Sequence, residues 1–149
     1  MQISCPAKLN LYLDVSGRRL DGYHEIVTVM QTTDLHDRLL LEEGAPGEVA
    51  MACDAVSLPI DARNLCVRAA EAMRLRAAPG KGVRIALEKR IPIAAGLGGG
   101  SSDAAGVLRG LNRLWGVGLG TGELAEVAAG LGSDVPFFLA GGTARCAGR

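Results

Sequence analysis

From Leu9 onward the chain alternates. Leu9, Leu11 and Leu13 fall on one side of an extended segment, and Asn10, Tyr12 and Asp14 on the other. A period of two belongs to a strand buried on one face, so "ISCPAKLNLYLDVSG" predicts a half-buried strand with its leucines inward. "RRLDGYHE" reads as a turn about Asp21-Gly22. "IVTVMQTTD" follows as a β-branched strand, and "RLLLEE", from Arg38, as a further short strand. Between Gly44 and Pro59 glycine, proline and short apolar runs mix, and no element is assigned.

The period then lengthens. "DARNLCVRAAEAMRLRAA" carries Leu65, Ala69, Ala72 and Met73 at helical spacing, with Asp61 as the expected N-cap and "APGKG" as its end. Val83 to Lys89 alternates again, as a strand. A glycine-rich run leads into a second helix with Ala104, Leu108, Leu111 and Trp115 on one face. "TGELAEVAAGLG" predicts a third, with Thr121 as N-cap and Gly132 beyond its end. "SDVPFFLAGGTARCAG" reads as a loop followed by strand-like segments. Strands, helix, strand, helices, strands: that order predicts an α+β domain with a mixed sheet rather than a strict βαβ array. The last segment looks like a strand that no further element closes, as expected of part of a longer protein.

Composition narrows the class. A length of 149 residues suits one domain with a real core, and with 3% aromatics that core must be aliphatic. Basic and acidic residues balance at 16 each, which argues against nucleic-acid or membrane partners. Cys5, Cys53, Cys66 and Cys146 form no CxxC pair and have only two histidines as co-ligands, which disfavours a zinc site. Dispersed thiols suit a reducing compartment. With no signal-peptide pattern and no apolar run of membrane-spanning length, the expectation is a soluble, cytoplasmic protein.

The stretch "PIAAGLGGGSSDAAG" carries the clearest chemistry. It lies between a strand and a helix, and a helix N-terminus offers unpaired N–H groups and partial positive charge. Glycines let an anion approach the backbone closely, and Ser101 and Ser102 add donors, so the arrangement suits phosphate. It is not a Walker A loop, because no lysine follows the glycines. It fails the dinucleotide pattern at Ser101 and the esterase elbow at Asp103. The plainer alternative is a flexible loop with a serine cap.

Three further features are weak singly. Lys8 and Asn10 share a strand face: a solvated lysine, or a cation aimed at a phosphate. Tyr23 and His24 follow the turn: a surface anchor, or a pair that stacks on and hydrogen-bonds a flat ring. Asp134 precedes Val135-Pro136, at an expected strand start: a turn residue, or a base toward a substrate hydroxyl. Taken together they are the parts of a phosphotransferase acting on a small hydroxyl compound.

The run Pro92-x-x-x-Gly96-Leu97-Gly98-x-x-Ser101-Ser102-x-Ala104 resembles the phosphate-binding signature of the GHMP kinases. "PAKLNLYLDVSGRRLDGYHEIVTVMQTTDLHD", "NLCVRAA", "KRIPIAAGLGGGSSDAAGVLRGLNRLW" and "LGSDVPFFLAGGTARCAGR" are similar to the branch whose acceptor is a cytidine-diphosphate-linked methylerythritol. The resemblance implies a fold like the second domain of ribosomal protein S5, and ATP with Mg²⁺ as phosphoryl donor. It implies Lys8 and Asp134 as the catalytic pair. It implies an ATP loop of Pro92, Ile93, Ala94, Ala95, Gly96, Leu97, Gly98, Gly99, Gly100, Ser101 and Ser102. Asn64 and Lys89 match positions near the adenosine; Asn10, Tyr23 and His24 match substrate positions. No metal ligand is assigned.

Family enzymes have two domains. Residues 1–149 match the N-terminal, ATP-binding one; the C-terminal, ferredoxin-like domain that walls the cleft is not matched. Impaired activity, exposed apolar surface and self-association are therefore expected. The alternatives left open are another small-molecule GHMP kinase, of homoserine or mevalonate type, and a non-catalytic nucleotide-binding module.

Overall fold

The computed structural model describes residues 1–18 and 24–148, with the side chains of Ser16, Arg18 and His24 outside that description. In chain order the elements are β1 (Gln2–Arg18), β2 (His24–Glu43), β3 (Val49–Cys53), α1 (Leu65–Ala77), β4 (Val83–Glu88), α2 (Gly99–Leu114), α3 (Thr121–Leu131), α4 (Val135–Ala140) and β5 (Thr143–Gly148). The α+β class and the mixed sheet are as expected. Strands run β1-β2-β4-β3, and β5 joins β2 beside β4. β3 and β4 pair in parallel across the α1 crossover; the other pairs are antiparallel. No helix among the described residues is long and apolar enough to cross a membrane.

β2 is one strand where the sequence suggested two. Its first half pairs with β5 and its second with β4, while β1 follows its other edge. The polar interval that reads as a break is absorbed in a register shift: Pro6 faces His36, yet Lys8 faces Thr32. That irregularity also corrects the leucine reading. Consecutive Ala7 and Lys8 are both buried, at 1% and 7% exposure, so the alternation changes phase there. Lys8 turns inward, and Leu9, Leu11 and Leu13 are left 47%, 63% and 56% exposed.

The other differences are local. β3 lies in the stretch to which no element was assigned. The α1 cap is Asn64 rather than Asp61: Asn64 Oδ1 accepts the Cys66 N–H at 2.9 Å, while Asp61 is occupied by Arg63. The α3 cap is Gly120, whose N–H donates to Glu123 at 2.9 Å, and Thr121 is the first helical residue. "VPFFLA" is helical, not strand-like. Pro136 sits where a helix needs no N–H, and six apolar residues are too few for periodicity to separate helix from strand.

α2 is the central helix. Ala104, Leu108 and Leu111 are fully buried, as their spacing predicts. It reaches the sheet closely through two glycines. A Cβ at Gly106 would lie 2.6 Å from Cys5 Sγ, and one at Gly110 would overlap the Cδ1 atoms of Ile3 and Leu41. Gly110→Val is therefore expected to destabilise the domain by about 1–3 kcal/mol, the usual range for overpacking a dense core. Urea unfolding checks this; an unchanged midpoint would show the helix seat to be loose.

Candidate active site

The glycine-rich loop owes its shape to alternate left-handed residues: Ala94 (φ 58°), Gly96 (φ 76°) and Gly98 (φ 69°). Such alternation gathers backbone N–H groups into an anion-binding concavity. Ala94 holds this conformation with a Cβ, at a local cost of about 1–2 kcal/mol. Gly98 is the α2 N-cap, and the Ser102 N–H donates to its carbonyl at 2.9 Å. Ser101 and Ser102 thus lie inside the first turn rather than capping it. The Ser102 Oγ is buried with no hydrogen-bond partner. Below the loop a cleft of about 360 Å³ opens, lined by Leu58, Asn64, Leu87 and Lys89 as well as Pro92 to Ser101. Asn64 is held at both ends of its amide, donating to the Pro59 carbonyl at 2.8 Å and capping α1.

The loop is coupled to β1. The Lys8 N–H donates to the Leu97 carbonyl at 2.9 Å. A Cβ on Gly98 would lie 3.0 Å from Lys8 Cγ and 2.8 Å from Phe138 Cζ. Only glycine satisfies both that contact and the positive φ.

Lys8 and Asn10 meet, as the alternation predicts. Lys8 Nζ donates to Asn10 Oδ1 at 2.6 Å, and Asn10 Nδ2 donates to Thr28 Oγ1 at 2.7 Å. The Thr28 hydroxyl in turn donates a hydrogen bond to the Tyr12 carbonyl, also at 2.7 Å. The relay fixes the Asn10 amide and, through it, the ammonium. Asp134 Oδ2 stands 3.5 Å from Lys8 Nζ. It occupies the N-cap position of α4, not a strand start, yet makes no capping hydrogen bond, so its carboxylate remains available. Thr28 was not anticipated; a threonine in a β-branched run carries no signal beyond strand propensity.

Lys89 lines the cleft, but its ammonium is committed inward. It donates to Asp103 at 2.9 Å and to Asp37, both fully buried carboxylates. Burial alone would lower the Lys89 pKa; Asp103 and Asp37 outweigh it and the net direction is up. Asp37 also accepts the N–H groups of Arg90 at 2.6 Å and Ile91 at 2.9 Å. Sequence reasoning missed both carboxylates, since no spacing rule links a lysine to an aspartate 52 residues away. Tyr23 lies outside the described residues, and of His24 only the backbone, opening β2, is described. Among the described residues no three His, Cys, Asp or Glu side chains cluster to hold a metal.

Residues 64–142 match the family described as GHMP kinases N terminal domain. Along its full length the chain is 49% identical to 4-diphosphocytidyl-2-C-methyl-D-erythritol kinase of Brevibacillus brevis, covering 51% of that protein. It is 54% identical over 148 residues to the same enzyme of Symbiobacterium thermophilum, covering 52%. A crystal structure of 4-(cytidine 5'-diphospho)-2C-methyl-D-erythritol kinase superposes with TM-score 0.84 at 46% identity, over 99% of this chain and 52% of that one. Methanococcus jannaschii mevalonate kinase, at 18% identity, shares the fold with TM-score 0.74, over 99% of this chain and 53% of its own. The chain spans about half the length of the curated relatives it matches. With the phosphate loop, its central helix and the α4 segment all inside the matched span, the chain belongs to the GHMP kinase family through that family's N-terminal domain.

Proposed function

We propose that this chain is the ATP-binding half of a kinase that phosphorylates the 2-hydroxyl of 4-diphosphocytidyl-2-C-methyl-D-erythritol, in the non-mevalonate route to isoprenoid precursors. The observation that carries the reading is the union of anion cradle and charged pair: Leu97 and Gly98 pack on Lys8, which faces Asp134 at 3.5 Å. In this mechanism Asp134 accepts the proton of the acceptor hydroxyl as its oxygen attacks the γ-phosphorus. The bond from that phosphorus to the β,γ-bridging oxygen breaks, and ADP leaves. Lys8 stabilises the developing alkoxide, with its direction set by Asn10 and Thr28. Mg²⁺, if carried in on the nucleotide phosphates, would supply charge neutralisation for the transferring group. Asn64 and Pro92 to Ser102 hold the nucleotide, and Lys89 lines the same cleft beside them.

The choice of acceptor rests on the names of the relatives and on Tyr23-His24, a stacking ring beside an edge-reading imidazole. A substrate lacking cytidine is expected to be phosphorylated poorly; equal turnover would move the chain to another branch of the family. Four cysteines with no disulfide support a place in the reducing cytoplasm. Leu9, Leu11 and Leu13, each about half exposed or more along β1, are the apolar side chains through which copies of the isolated chain self-associate.

ATP at about a hundredfold over its Kd is expected to stabilise the chain by about 2.7 kcal/mol, raising the thermal midpoint by roughly 5–10 °C. No shift at any ATP concentration would remove the nucleotide reading.

A further inference from the structure

The phosphate loop is entered and left through one buried charge cluster. At the entrance, Asp37 Oδ1 takes the N–H groups of Arg90 and Ile91. At the exit, Asp103 lies in the first turns of α2, on the wall of the same cleft as Gly96 to Ser101. Lys89 ties the two carboxylates together. A Cβ on Gly99 would lie 3.2 Å from Lys89 Nζ, so the cluster sits directly behind the cradle.

The charges do not balance. One ammonium faces two carboxylates, which leaves an excess negative charge behind a site shaped for an anion. Burying an uncompensated charge is costly, and the usual release is protonation. Asp103 is the member placed for it. Its Oδ1 is buried without a hydrogen-bond partner, whereas each Asp37 oxygen is occupied. Other groups near Asp103 do not neutralise it. The thiols of Cys5 on β1, Cys66 on α1 and Cys53 on β3 are all shifted up, chiefly by burial, and stay neutral. Asp54 accepts the Lys89 backbone N–H at 2.9 Å and adds negative charge. Arg109, six residues along α2, acts on the Cys5 thiol, and Lys8 is engaged by Asn10 and Asp134.

We propose that Asp103 is a proton-coupled positioning residue of the phosphate loop: when nucleotide phosphates dock on Gly96 to Ser101, Asp103 takes up one proton from solvent. The inference rests on the nucleotide reading above. The bookkeeping is simple: the carboxylate gains a proton, Lys89 and Asp37 remain a neutral pair, and the cradle loses the charge that would repel the triphosphate. Burial first, and Asp37 after it, push the Asp103 carboxyl up to about 7 against the pull of Lys89. The free protein is therefore poised near neutrality, and an incoming anion raises the carboxyl further.

The test is calorimetric titration of this chain with MgATP, without acceptor, in buffers of different ionisation enthalpy. Proton uptake is expected near zero at about pH 6, where Asp103 already carries its proton, and at roughly half a proton or more between about pH 7 and 8. Over the same interval ATP affinity falls with rising pH, by up to about tenfold per unit. Asp103→Asn keeps the shape and abolishes both the uptake and the slope. ATP's own ionisation is common to both proteins and cancels in the difference. If the variant does not fold, the Asp103 carboxyl is followed by carbon NMR in the wild type. A titration midpoint that rises with ATP supports the coupling; an unmoved midpoint overturns it. Equal proton exchange in wild type and Asp103→Asn overturns this inference and leaves nucleotide binding standing. Absence of ATP binding to either protein at every pH removes the nucleotide reading, and the coupling with it.

Discussion

Asp134→Asn is expected to lower kcat by about 10³-fold while ATP binding stays within a small factor of wild type, the loss typical of a removed general base. The amide keeps the size of the side chain but cannot accept the hydroxyl proton, and it ends the charge pairing with Lys8 at 3.5 Å. ATP affinity survives because the cradle is built from the backbone of residues 94–98 and the start of α2. The assay is run on this chain joined to the remaining half of a full-length relative, and ATP binding is measured on the chain alone. Loss of ATP binding with turnover per bound complex unchanged would show that Asp134 holds nucleotide instead.

Asp37→Ala should give the largest loss of stability, about 3–5 kcal/mol, as when one partner of a buried ion pair is removed. Three donors lose their acceptor together: the Lys89 ammonium and the N–H groups of Arg90 and Ile91. A domain of this size has about 5–15 kcal/mol in total, so the variant sits close to unfolding at ambient temperature. Asp37→Asn retains an oxygen for the two N–H groups and should lose less. Urea denaturation orders the three proteins as wild type, Asn, Ala. A cost for Ala below about 1 kcal/mol, the scale of an exposed pair, would mean that water reaches the cluster.

These two residues mark the range of what the sequence discloses. Asp134 by residue type alone reads as a turn residue or as a base, and only the resemblance sets it apart; the element after it is misread, since six residues fit helix or strand. The loop is more legible: "GLGGGSS" between an alternating strand and a 3.6-period helix has few other uses. Lys8 and Asn10 follow from the period of two, but the inward side of β1 does not. The phase change between Ala7 and Lys8 depends on a register shift against β2, which is a property of two strands and invisible in either. Asp61 and Asn64 are equally good caps by residue type. What separates them is Arg63, which takes both Asp61 oxygens, and the Pro59 carbonyl, which receives the Asn64 amide. Asp37 and Asp103 are the furthest from sequence reasoning. A buried carboxylate is identified by what folds around it, and its lysine comes from just beyond β4, distant in sequence.

β2 sets the order in which this domain is completed during synthesis. Its first half stays open along one edge until β5 arrives, and Gln31 waits for Thr143, 112 residues later. At ribosomal rates of about 5–20 residues per second, that interval is roughly 6–22 s. For its duration the strand presents unpaired N–H and C=O groups from Ile26 to Gln31, the kind of edge on which nascent chains associate. The hydrogen-bond chain from Lys8 through Asn10 to Thr28 ends within that segment, so the position of Lys8 is secured only when β5 has been added.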